Sequence, residues 1–159
     1  MIKLWMAPGG LHVEPGEPED AKDLARIHAQ SFYRGWSSEE FASFLADRNT
    51  PVYVACDAKR RIAGFALIRT VLDEAELLTI AVDPRWRGKG LGRALMDAVF
   101  ADLMMSPARR MFLEVEEQNV AAIRLYGRMG FATISRREGY YARPDGSAAT
   151  ALVMACDLG

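Results

Sequence analysis

Apolar residues in the first third of the chain recur at helical spacing, whereas those in the middle arrive in short unbroken runs. Ala21, Leu24, Ala25, Ile27, His28 and Phe32 follow a period near 3.6 and predict a helix. Pro18-Glu19-Asp20 opens it, with proline early and acids in the first turn, where the helix dipole favours them. Ser37, with Glu40 three positions on, predicts a second helix start before Phe41, Phe44 and Leu45. Leu11 to Glu14 reads as a short strand. Val52 to Cys56, Ile62 to Val71 and Glu76 to Val82 read as three more, parted by polar turns. Their near-continuous apolar character predicts burial on both faces. Beyond a break at Asp83 to Gly90, the residues Leu91, Ala94, Leu95, Ala98, Val99 and Leu103 mark an amphipathic helix. Met111 to Glu116 is a strand, and Asn119 caps a helix that ends at a left-handed Gly130. Phe131 to Arg136 and Ala149 to Cys156 close the chain as strands. The alternation predicts an α/β fold with helices packed on a central sheet, and one domain over residues 1–159.

Composition narrows the classes. A chain of 159 residues that is 50% apolar suits one domain with a substantial core. A net charge of −1 gives no broad electrostatic reason to bind nucleic acid or an anionic membrane. No apolar run approaches the roughly 18 residues that span a bilayer, and residues 1–10 are too short and broken for a secretory core. Cys56 and Cys156 each sit in an apolar strand-like run and read as small buried hydrophobes, not a disulfide. His12 and His28 have no partners at ligand spacing, so no metal site is expected. A reduced cytoplasmic location is the expectation.

The chemistry concentrates at the break. A strand ending Thr79-Ile80-Ala81-Val82, a glycine turn and a helix start make an anion site, because the helix N-terminus presents unpaired N–H groups and partial positive charge. Glycines at 88, 90 and 92 let a ligand approach the backbone, and Arg87 and Lys89 add formal charge. The implied ligand is a phosphate or pyrophosphate. It is not held by a Walker loop, since Gly88-Lys89 is followed by Gly90, nor by a dinucleotide fingerprint, since the position that needs the last glycine is Arg93. A tight turn that uses glycine for steric reasons alone is the bland alternative.

Arg87-Gly88-Lys89-Gly90-Leu91-Gly92 matches the R/Q-x-x-G-x-G/A signature of the GNAT acetyltransferase superfamily. Asn119 to Tyr126 and Gly130-Phe131 resemble that superfamily's second cofactor-side segment. Val71 to Leu78, Ile80 to Pro84, Leu113-Glu114-Val115 and Tyr140-Tyr141 resemble in particular the bacterial ribosomal-protein-alanine N-acetyltransferases, the RimI group, from about Gly35 onward. The resemblance implies a GNAT fold, a mixed central sheet with helices on both faces. It implies acetyl-CoA as co-substrate, lying against Ile80, Ala81 and Val82 and against Arg87, Gly88, Lys89, Gly90, Leu91, Gly92 and Arg93, with Asn119 near the pantetheine. It implies Glu114 as general base and Tyr126 as general acid, and places Tyr140 and Tyr141 at the acceptor. The implied acceptor is a protein N-terminal α-amine, such as that of a ribosomal protein, with Ala or another small residue first.

The residues themselves add to this. Phe112, Glu114 and Glu116 share one face of their strand, and apolar neighbours would partly desolvate Glu114. Asn119 and Tyr126 are seven residues apart, nearly two helical turns, so they address one ligand from two points. Glu114, Glu116, Glu117, Asp73, Glu74 and Glu76 would make the acceptor side acidic. The chain departs from the group's pattern at Thr150-Ala151, where an Asp-Ala pair is usual, and at Gly127 inside a helix. Alternatives are acetylation of lysine side chains or small amines, and a catalytically silent acetyl-CoA-binding module.

Overall fold

A mixed sheet of eight strands forms the centre of the computed structural model, in the order β1-β2-β3-β4-β5-β6-β8-β7. The structure describes residues 3–159, apart from the side chains of 140–142. The strands are β1 (Trp5–Met6), β2 (His12–Pro15), β3 (Val52–Cys56), β4 (Ile62–Val71), β5 (Glu74–Val82), β6 (Arg110–Glu116), β7 (Ala132–Ala142) and β8 (Ala148–Asp157). All neighbours pair antiparallel except β5 and β6, which run parallel and are joined by the crossover helix α3 (Leu91–Leu103).

Two apolar clusters, one on each face, hold the helices. Tyr53, Ala66, Ile68, Leu77, Met111, Leu113 and Val115 meet Leu91, Leu95, Met96, Val99 and Leu103 of α3 and Tyr126 of α4 (Val120–Arg128). Val54, Cys56, Phe65 and Leu67 meet Leu24 and Ile27 of α1 (Ala21–Ala29) and Phe41 of α2 (Ser38–Ala46). Cys56 and Cys156 are free, buried, and belong to opposite faces. No helix among the described residues is long and apolar enough to cross a membrane.

The capping logic holds. Ser37 Oγ accepts from the Glu40 N–H, and Asn119 Oδ1 accepts from the Ala122 N–H, so each helix start satisfies an otherwise orphan donor. Gly130, at φ 98°, lies in the left-handed region just past α4. Other expectations need correction. The period through Phe32 overran α1, which ends at Ala29; Phe32 instead stacks on His28 at 4.3 Å between ring centroids. The closing strands are longer than their apolar runs. β5 is fully buried only on alternate residues, Ala75, Leu77, Thr79 and Ala81, and in its first half the intervening Glu74 and Glu76 face outward. On the α1 side the helices cover β5 only at its far end, around Leu78 and Ala81, and the surface over Glu74 to Glu76 and Phe112 to Glu114 is left as a cleft.

Candidate active site

Two neighbouring strands part company at the centre of the sheet. The β5–β6 rungs run from Glu74–Arg110 to Leu77–Leu113 and go no further. β5 stays paired with β4 as far as Val82–Gly64, and β6 with β8 as far as Glu116–Ala151. Each strand is thus held on its far side and open on the near side, and the ends 78–82 and 114–116 flank a wedge. Along it, alternate N–H and C=O groups of β5 have no ladder partner. A bulge marks the opening. Leu67 pairs with Thr79 but Ile68 with Leu77, which leaves Leu78 as the extra residue. Thr79 Oγ1 is buried there and, among the described residues, has no hydrogen-bond partner.

The mouth of the wedge on the α3 side is the glycine turn. Asp83 is buried and accepts from the Arg85 backbone N–H and from its guanidinium, which holds the carboxyl down near about 2. This locks the turn at its entry. Gly88 and Gly90 take φ 74° and 81°, conformations that favour glycine, and a Cβ on either would meet no protein atom within 4 Å. Gly90 is the N-cap of α3 and offers no side chain to its first N–H groups, which point outward with the helix dipole. Turn and helix therefore form an open concavity of backbone donors suited to a pyrophosphate.

The basic side chains are less free than their number suggests. Arg87 donates to the carbonyls of Val82 and Gln30 and to Ser31 Oγ, tying the turn to the end of α1. Lys89 Nζ lies 5.2 Å over the Trp86 ring, and Arg93 pairs with Asp97 one turn along α3. Leu91 is buried in the core, and Ile80 and Val82 pack against that same α3-side cluster while Ala81 turns to the other face. Of the positions expected to hold cofactor, the glycines, the strand end and the helix start come together at the wedge. Asn119 is occupied as an N-cap.

Glu114 and Tyr126 approach from opposite faces. Tyr126 is 5% exposed and packs edge-on to Phe131 in the α3-side cluster. Burial pushes its phenol up to about 12, so the hydroxyl stays protonated across the physiological range. Glu114 sits on the other face of β6, with Phe112 and Glu116, while Leu113 and Val115 point to α3. It lines a cleft of about 380 Å³ with Arg69, Glu74, Glu76, Phe112 and Val153. Its side chain is 22% exposed, and Arg137 Nη1 lies 3.1 Å from Oε1. Glu116 pairs with Arg143 at 2.9 Å and Glu117 with Arg136 at 3.0 Å. The acidic character expected from six carboxylates is therefore reduced. Three are matched by arginines of the β7–β8 hairpin, which sequence separation concealed. Among the described residues Glu74 and Glu76 have no salt-bridge partner. The side chains of Tyr140 and Tyr141 lie outside the described residues.

A second cluster has no signature in residue spacing along the chain. Ligand atoms of His12, Glu14 and Cys56 lie within 4.8 Å of one another, although no metal-ligating group was expected. The signal was in strand pairing, since His12 faces Cys56 across the β2–β3 ladder.

Comparison with known proteins identifies the family. Residues 21–131 match the acetyltransferase (GNAT) family. The chain is 39% identical over 142 residues to the [ribosomal protein bS18]-alanine N-acetyltransferase of Escherichia coli, covering 89% of this chain and 94% of that one. It is 41% identical over 139 residues to the protein of the same description from Haemophilus influenzae, covering 87% and 93%. The crystal structure of the ribosomal-protein-S18-alanine N-acetyltransferase from Escherichia coli superposes with a TM-score of 0.87 at 32% identity, covering 94% of each chain. Arabidopsis thaliana NAA60, solved in complex with acetyl-CoA, shares the fold with a TM-score of 0.83 at 24% identity, over 92% of this chain and 98% of that one. The chain belongs to the GNAT acetyltransferase family and is an N-acetyltransferase.

Proposed function

We propose that this enzyme transfers acetyl from acetyl-CoA to the N-terminal α-amine of a protein whose first residue is small, alanine foremost, with a ribosomal protein as the cellular acceptor. The observation that carries the reading is the placement of Glu114 in the cleft beside the β5–β6 wedge, with Tyr126 on the other face of the sheet, in a chain 39% identical to ribosomal-protein-alanine N-acetyltransferases.

The pyrophosphate of acetyl-CoA rests on the N-terminus of α3 and on the Gly88 to Gly92 backbone, and the pantetheine arm pairs with unsatisfied groups of β5. This brings the thioester to the wedge. The acceptor enters from the cleft on the Glu114 side. Glu114 takes the proton of the ammonium, directly or through one water, and the freed amine attacks the thioester carbonyl carbon. A β5 backbone N–H bordering the wedge stabilises the oxyanion, and one such donor contributes about 3 kcal/mol. As the C–S bond breaks, the sulfur leaves as thiolate and takes the Tyr126 hydroxyl proton, while the second proton on the acylated nitrogen passes to the Tyr126 phenolate and restores it. With its phenol pushed up to about 12, Tyr126 gives that proton only in concert with bond breaking.

The α-amine suits a single glutamate base. At pH 7 an amine of pKa about 7.8 is roughly one-seventh neutral, whereas a lysine near 10.4 is nearly all charged, a gap of roughly 3.5 kcal/mol. Glu74 and Glu76 at the cleft draw in the cationic terminus. The test is acetylation of a peptide panel differing only in the first residue, read by mass spectrometry. Acetyl on the α-amine of Ala-initiated peptides is expected. Acetyl on lysine side chains with the N-termini untouched would overturn the acceptor assignment.

A further inference from the structure

We propose that His12, Glu14 and Cys56 form a binding site for a divalent zinc-like cation on the α1 face of the β2–β3 pair, one strand removed from the catalytic wedge. His12 and Glu14 are two residues apart on β2 and share a face. Cys56 is the direct cross-strand partner of His12, so its side chain rises on the same face. The three donors belong to rigid ladder positions and include the thiolate, imidazole and carboxylate that zinc prefers.

The geometry is close to that of a tetrahedral ion. Cys56 Sγ lies 3.6 Å from His12 Nε2. Two ligands on tetrahedral zinc, with bonds of about 2.3 Å to sulfur and about 2.0 Å to nitrogen, stand about 3.5 Å apart. Glu14 Oε2 lies 2.6 Å from the same Nε2, a hydrogen bond that must open by under an ångström to admit an ion. The one nitrogen thus faces both other donors, and a cation would replace the proton it shares with them. The His12 and Glu14 side chains are about a quarter exposed, so solvent reaches the group.

Charge around the group favours a cation. Arg60, itself in the left-handed region at φ 59°, points its guanidinium at Glu14, Glu17 and Asp20. One cation therefore faces three carboxylates. Arg60 engages Glu14 through Oε1, and the oxygen turned to His12 is Oε2. A divalent ion would offset the remaining carboxylate charge while binding the thiolate.

Titration of the metal-free full-length protein with Co(II), followed by absorbance and repeated in competition with Zn(II), tests the site. One equivalent is expected to produce a thiolate-to-cobalt charge-transfer band that Zn(II) abolishes. Cys56→Ser should lose the band. His12→Ala should weaken apparent affinity by more than the about 10-fold seen when a merely supporting partner is lost. Circular dichroism of the metal-free variants checks that they fold, and Glu14→Gln, which keeps the side chain's shape, serves if either fails, with the same weakening expected. Absence of the band in the parent protein, or a band and affinity unchanged in the variants, overturns the proposal. Acetyl transfer is not the readout, so the outcome is independent of the catalytic assignment.

Discussion

Glu114 of β6 and Arg137 of β7 form an ion pair at 3.1 Å, so the residue assigned as base enters the reaction with a cation already beside it. Glu114→Gln should keep acetyl-CoA affinity while lowering turnover by roughly 100-fold or more near neutral pH. The deficit should shrink as pH rises and the amine deprotonates unaided. Steady-state kinetics across pH, with calorimetry for the cofactor, make the check; full activity at pH 7 would remove Glu114 from the mechanism.

Gly90→Val should weaken acetyl-CoA binding. A Cβ at 90 meets no protein atom, so the effect comes from the φ of 81° and from obstruction of the ligand that the turn faces. Calorimetric titration of the folded variant decides; unchanged affinity would exclude the turn from the site.

Tyr126→Phe should lower turnover by about 100-fold with little change in either KM. Because burial holds the phenol near about 12, it is a neutral acid at every lower pH. The parent enzyme should therefore show no falling alkaline limb below about pH 10 from this group. A limb near pH 9 that vanishes in Tyr126→Phe would contradict the assignment.

His28 is buried, stacked against Phe32 and Trp36, and its Nδ1 accepts from the Trp36 N–H. Burial lowers it to about 4 from an ordinary 6.5. Between those values the unfolded chain binds the proton more readily, so stability rises with pH through that window and is lost as pH falls from about 6.5 to 4. The full effect is about 3 kcal/mol. Chemical denaturation at pH 4.5 and 7 should show it, and in His28→Gln the difference should shrink whatever that variant's absolute stability.

Gly127 is exposed inside α4, and a Cβ there would meet nothing within 4 Å. Gly127→Ala should therefore stabilise the protein by about 1 kcal/mol through helix propensity. Urea denaturation measures it directly; destabilisation would mean that the position is constrained by something other than the helix.

The elements were legible where one residue set both period and boundary. β3, β4 and α3 match their predicted spans because polar turns and the glycine break delimit them. Pairing was not legible. Nothing local in β6 says that Glu114, Glu116 and Glu117 will meet arginines 19 to 27 residues on, since that depends on β8 passing between β6 and β7. Likewise His12 and Cys56 are 44 positions apart and meet only through the β2–β3 register. The glycine turn was readable because its backbone conformation demands a residue type, whereas the roles of Arg87 and Lys89 were not, because a charge can turn toward any nearby partner.

The strand order also sets a timetable for assembly. β7 is made before β8, yet its neighbour in the sheet is β8 alone, and β8 must first seat against β6. A chain emerging from its N-terminus can complete β1 to β6 with both helical layers, while β7 waits without a docking edge. The three arginines that face β6 then arrive together, as one late hairpin event. Until that moment the Glu114 carboxylate would face solvent with its counter-charge unformed, so the glycine turn is in place before the Glu114 cleft is complete.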